Sequence, residues 1–322
     1  MQLVSLYNSI LNATTCINIP VKLFTLYIII TKTPRHLRHD SFFILDVMSW
    51  NCLGNALLAI VHPLPVYPAQ CFRFEGALSQ FSDSKNVVLP LFLAVAICAL
   101  HWGVGVTLAF FYRYLSFVHP KIAAKIKPSW AFWLCAVVHL ASMAAFSVLI
   151  FFADVSYYNH PDTGGDLQNR HWLYCFSLPG WDRLFLASFG FLGFALVITL
   201  AGLLFREISR SEGIVNVETL KIQRRLLWNL IILTSIVLLM GTAPLVISVL
   251  LAFLYPYFPH ANTIFMMSII TCANHGTIYA ITTLILFKSY RQAVSKMLGR
   301  VIGRFSGKNV ISVKVSSACN RT

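Results

Sequence analysis

Uncharged apolar runs, each about one bilayer thick, alternate along this chain with short polar segments, and the pattern predicts a bundle of membrane-crossing helices. Residues 87–112 contain no Asp, Glu, Lys or Arg. At about 1.5 Å per residue the run can cross a ~30 Å hydrocarbon core with some tilt. It closes on Phe110-Phe111-Tyr112-Arg113-Tyr114, and Lys121, Lys125 and Lys127 follow. Comparable runs cover 3–31, read as a retained first helix although Asn12, Thr14, Asn18, Pro20 and Lys22 interrupt it, 41–62, broken only by Asp46, 129–153 and 184–205. Residues 226–287 again carry no charge, twice the length one helix needs. Pro256, Pro259, His260 and Asn262 divide this last run into a sixth helix and a seventh. The prediction is an all-α, seven-helix domain over residues 1–291, with a basic tail over 292–322 that keeps one or two amphipathic turns.

Composition removes the soluble alternative. Hydrophobic residues make up 57% of the 322 and charged ones 11%, against about a quarter charged in soluble domains. Charge then orients the bundle. Segments 32–40, 113–128, 206–225 and 288–322 hold 20 of the 25 Lys and Arg residues. By the positive-inside rule these segments face the cytosol, which leaves the N-terminus outside and the C-terminus inside. The net charge of +14 is thus a cytoplasmic surface suited to anionic lipid headgroups and not a nucleic-acid site. Asn12-Ala13-Thr14 is a glycosylation sequon close to the membrane, and Asn320-Arg321-Thr322 falls on the cytosolic side.

Ionisable groups inside spans are costly and default to functional candidates. Lys22 and Asp46 lie at similar depth on adjacent helices. They could form an intramembrane ion pair, or each could extend separately toward the headgroups. His101, His139 and His275 sit near the middle of their spans, where they could line a ligand pocket, bind a metal, relay protons or serve as hydrogen-bonded packing groups. None of the three is read as having a ligand partner at i, i+4, so no metal site is expected. His275, flanked by Asn274 and Gly276, has the best claim to a pocket. Pro244, deep in the sixth helix, must free a carbonyl one turn back, producing either a hinge or a static kink. Cys52, Cys98, Cys135 and Cys272 fall within spans and read as small apolar residues. Cys71 and Cys175 both lie in outer loops, the oxidising side, where a disulfide could join them. Cys319 lies in the cytosolic tail.

Several short features carry a family resemblance. They are Tyr112-Arg113-Tyr114 closing the third span and Glu218 to Arg225 opening the sixth. His275-Gly276 in the seventh is followed by Lys288-Ser289-Tyr290-Arg291, and Ile19-Pro20 and Lys32-Thr33-Pro34 mark the start. Over helix one to Arg291 the chain resembles the nematode serpentine chemoreceptors of the Str superfamily, and is most similar to class H. The resemblance implies a G-protein-coupled receptor for environmental chemicals, displayed on the plasma membrane of sensory neurons and their cilia. It puts Arg113 at the position of the arginine in the Asp-Arg-Tyr motif of rhodopsin-like receptors. Tyr112 replaces the acid there, so the motif's acidic neighbour for that arginine is missing from this chain.

The predicted mechanism has a small molecule contacting the upper halves of helices three, five, six and seven, with His101, Asn274 and His275 as ligand-binding residues. The partner is a heterotrimeric G protein, met by Arg113, Lys221, Arg224 and Arg225, and no cofactor or metal is called for. A transporter or channel is the competing class. The lack of an internal repeat and the few membrane charges count against it. An enzyme is weaker still, for the chain has neither His-Glu-x-x-His nor Gly-x-Ser-x-Gly.

Overall fold

A computed structural model of the chain describes residues 2–34, 37–66, 71–77, 85–119, 121, 125, 128–152, 173–175, 180–210, 217–254 and 260–305. Most of the loop at 154–183, together with Cys319 and Asn320, lies outside these residues. The helices are α1 (Gln2–Lys32), α2 (Arg38–Val61), α3 (Lys85–Val118), α4 (Pro128–Phe152), α5 (Gly180–Arg210), α6 (Val217–Ile236), α7 (Ala243–Leu254), α8 (Ala261–Leu286) and α9 (Lys288–Phe305). A π-helical turn, Val237–Thr242, joins α6 to α7 without a break, so the two form one crossing.

Six stretches among the described residues have the length and hydropathy to cross a membrane. The 31-residue α5 is the seventh long helix, and the protein is a seven-helix membrane bundle. Its outward faces are apolar, as at Trp133 and Leu239, 65% and 71% exposed, which suits lipid contact. Inside, one core of Ile28, Ile44, Met48, Phe110, Leu204, Leu233 and Tyr279 fills the half nearer Arg113. A smaller core of Tyr7, Leu11, Leu58, Leu64 and Met266 fills the other.

The two residues that follow α2 explain how that helix ends. His62 adopts left-handed geometry (φ 41°), its N–H bonds the Leu58 carbonyl, and Pro63 cannot continue the helix. The chain then turns into β1 (Pro63–Val66) and β2 (Cys71–Phe74), which with β3 (Leu173–Cys175) form an antiparallel sheet in the order β1-β2-β3. Hydropathy did not reveal this sheet, because strands of three or four residues are too short to show a two-residue period. Beyond the sheet, the Gly76 N–H caps the Val61 carbonyl. A Cβ at Gly76 would run into the Ile60 carbonyl, so that approach requires glycine.

The opposite end departs from the sequence expectation too. In place of one or two turns, α9 runs for 18 residues, to Phe305. Its Tyr290 is fully buried, and the hydroxyl meets Ser41 Oγ at 2.7 Å and Thr33 Oγ1 at 2.9 Å. Buried hydrogen bonds of this kind anchor α9 to the turn between α1 and α2.

Candidate functional site

Three polar assemblies occupy the apolar bundle, and each draws on residues far apart in sequence. The first surrounds His275 of α8, which is 1% exposed. Its Nδ1 lies 2.5 Å from the Cys272 carbonyl and its Nε2 2.8 Å from Asn51 Nδ2 of α2. Both contacts are satisfied when Nδ1 donates and Nε2 accepts, which fixes the neutral tautomer. Asn18 of α1 and Asn55 of α2 both donate to the Ala273 carbonyl, at 3.0 and 2.7 Å. Small residues make these approaches possible: a Cβ at Gly276 would collide with the Asn51 amide. Trp102 of α3 stands edge-on to the His275 ring at 4.0 Å.

The same assembly reaches the sixth crossing. Pro244 has no N–H to give, and the helix widens to a π turn just before it, with the Ala243 N–H bonding the Leu238 carbonyl five residues back. The Gly241 carbonyl within that turn accepts from Cys272 Sγ at 3.3 Å. Cys272, read from sequence as apolar filling, is thus a donor to the helix-six irregularity. Because it sits one turn before His275, α2, α3, the π turn and α8 form one hydrogen-bonded and packed unit.

The second assembly centres on Asp46. Its Oδ2 lies 3.0 Å from His139 Nε2 of α4, and its Oδ1 accepts from Trp50 Nε1 at 3.2 Å. His139 Nδ1 in turn lies 2.8 Å from His101 Nδ1 of α3, and Cys135 lies beside the Asp46–His139 pair. In this geometry Asp46 is engaged by His139 and Trp50, and Lys22, expected from the sequence as its ion-pair partner, is not among these contacts. Asp46 and Trp50 form the stripe of α2 that faces α3 and α4, whereas Asn51 and Asn55 form the stripe that faces α8. Depth along two helices fixes height and leaves rotation open, and rotation carries Asp46 away from α1. Lys22 is 1% exposed, and its Nζ has no hydrogen-bond partner within the described chain.

The third assembly lies near the α3 end. Arg113 Nη2 meets Asp40 Oδ2 at 2.5 Å, with the two side chains 12% and 14% exposed. Asp40 stands in the first turn of α2, where the helix dipole also favours its negative charge. Beside the pair is a cavity of about 30 Å³, lined by Ile44, Val106, Leu230, Leu233, Tyr279 and Phe287 among others. The acid that position 112 lacks is therefore supplied by a neighbouring helix, which no local motif in α3 could reveal.

The other sequence-predicted site residues fall as follows. His101 and His275 are committed to protein partners, and Asn274 donates to the Ile270 carbonyl of its own helix at 2.9 Å. Lys221, Arg224 and Arg225 lie exposed at the start of α6. Cys71 and Cys175 are paired backbone positions of β2 and β3 in the strand register.

Residues 4–300 match the family model described as serpentine type 7TM GPCR chemoreceptor Srh. The chain belongs to this family. A search of curated proteins finds no match. Srh corresponds to the class H resemblance of the sequence, so the protein is a multi-pass chemosensory receptor.

Proposed function

We propose that this Srh receptor binds a small chemical between its helices and activates a heterotrimeric G protein through the Arg113 end. The observation that carries the reading is the half-buried Arg113–Asp40 pair. It ties α3 to α2 beside a cavity whose far wall is α6, so Arg113 is held away from any partner until that wall moves. The π turn and Pro244 supply the place where the sixth crossing can bend. Basic side chains at Lys221, Arg224 and Arg225 then meet the G protein. An agonist acts only by favouring the bent arrangement over the latched one.

In this reading the N-terminus and the sheet face outward, and the basic segments and α9 face the cytosol. The ligand enters from the sheet side and is sensed by His101, Asn274 and His275, directly or by disturbing their hydrogen bonds. A Cys71–Cys175 disulfide fits the cross-strand register, since directly opposed residues have Cα atoms about 4.5 to 5.5 Å apart, within disulfide reach. The setting is the plasma membrane of sensory neurons, including their cilia.

Nucleotide exchange in membranes expressing the receptor with a G protein tests the latch. Asp40→Asn removes the charge that holds Arg113, so basal exchange should rise severalfold. Arg113→Ala should abolish exchange at equal surface expression. Full coupling by Arg113→Ala would remove the assigned role, and ion current or solute flux without exchange would favour a channel or transporter.

A further inference from the structure

We propose that Asp46, Cys135 and His139 form a binding site for a divalent transition metal of the zinc type, bridging α2 and α4 inside the bundle. Each residue offers one ligand atom, and the three atoms lie within 4.8 Å of one another. Cys135 and His139 are 5% and 8% exposed, so the donors meet in a space shielded from water. A thiolate, an imidazole nitrogen and a carboxylate oxygen are the donor set of zinc, with bonds of about 2.0 to 2.3 Å. In tetrahedral geometry such bonds put donors about 3.3 to 3.6 Å apart. His139 Nε2 and Asp46 Oδ2, now 3.0 Å apart, need to separate by only a few tenths of an ångström.

The surroundings hold these donors as outer-sphere partners hold metal ligands. His101 engages the far nitrogen of His139, and Trp50 donates to the far oxygen of Asp46, which aims one lone pair of each at the shared space. Gly105 keeps that space open, since a Cβ there would lie 2.7 Å from Asp46 Oδ2. On binding, Cys135 loses its thiol proton to solvent. His139 carries its single proton on Nδ1 and donates it to His101 Nδ1, and His101 keeps its own proton on Nε2. Three protein ligands leave a fourth position for water or a small coordinating molecule.

Spacing made the site readable in retrospect: Cys135 stands one turn before His139, at i, i+4 on α4. The sequence reading that no central histidine has a ligand at i, i+4 is corrected by this pair.

The full chain, purified in detergent and stripped by a chelator, is titrated with Co²⁺ as a spectroscopic probe and then with Zn²⁺. One Co²⁺ per chain is expected, with a near-ultraviolet thiolate-to-cobalt band that Zn²⁺ abolishes. Cys135→Ser should eliminate the band and weaken binding at least tenfold. Trp50→Phe should weaken binding about 10- to 100-fold while keeping the band. The exposed Cys16 serves as control, and Cys16→Ser should change nothing. Alkylation covers the case in which Cys135→Ser fails to fold: in the unaltered chain, Zn²⁺ should slow modification of Cys135 at least tenfold and leave Cys98 unaffected. Absence of a stoichiometric band in folded receptor, a band that survives Cys135→Ser, or equal alkylation with and without Zn²⁺ overturns the site.

Discussion

At the scale of single residues, a few side chains decide how the apolar interior tolerates polar groups. His275 meets both of its hydrogen-bonding needs within the protein, at the Cys272 carbonyl and Asn51, and it does so only because Gly276 leaves room for the Asn51 amide. Gly276→Ala should therefore destabilise the bundle by about 1–3 kcal/mol through overpacking. Thermal unfolding in detergent measures this. The loss should shrink when Asn51→Ala removes the obstructed group first, and strict additivity of the two changes would show that they do not interact. Lys22 is the contrasting case. Its burial was foreseeable from the apolar run, but the structure gives Asp46 to His139 and leaves the Lys22 Nζ without a hydrogen-bond partner within the described chain.

At the scale of elements, the end of α2 is set by His62, a non-glycine residue held in left-handed geometry. Burial lowers the His62 pKa below its ordinary 6.5, and nearby Glu75 offsets part of that shift. The folded state thus prefers the neutral ring, whose Nδ1 donates to Asn8 Oδ1 at 3.2 Å. A depressed folded pKa gives a stability contribution that is complete above the unfolded value and is lost as pH falls through the folded one. Acidification below 6.5 should lower the melting temperature, and His62→Gln should flatten that part of the profile. An unchanged slope in the variant would assign the dependence to other groups. The sixth crossing illustrates a different element rule. Sequence placed a proline deep in a helix and predicted a freed carbonyl at Met240. The helix instead widens across Val237–Thr242, and a thiol from α8 meets the carbonyl of Gly241. The irregularity is stabilised from outside its own segment, which makes it sensitive to movement of α8.

At the scale of the whole molecule, seven crossings and the one-sided distribution of Lys and Arg define a vectorial device. The proposed orientation puts the two termini in different compartments, so tags at each end should be accessible from opposite sides of intact cells. Detection of both tags from one side would break the odd helix count. The Arg113–Asp40 latch sits at one end and the three-stranded sheet at the other. The His275 and Asp46 assemblies lie between them, so a ligand-driven change near the sheet has a continuous set of packed contacts along which to reach α6.

The sequence by itself determined the crossings, their approximate limits, the family resemblance and the residues that deserved attention, because the bilayer imposes a length and an apolarity that can be read one segment at a time. Arg113, Pro244, His275, Asp46 and Cys135 were all visible as positions. Only the tertiary structure decided who meets whom: Arg113 with Asp40, Asp46 with His139, Cys272 with Gly241, Tyr290 with Ser41 and Thr33. These pairings depend on the rotation of each helix about its axis and on contacts between residues up to about 250 positions apart. Hydropathy fixes neither, since a helix in lipid can turn any of its apolar faces outward until its neighbours pack against it.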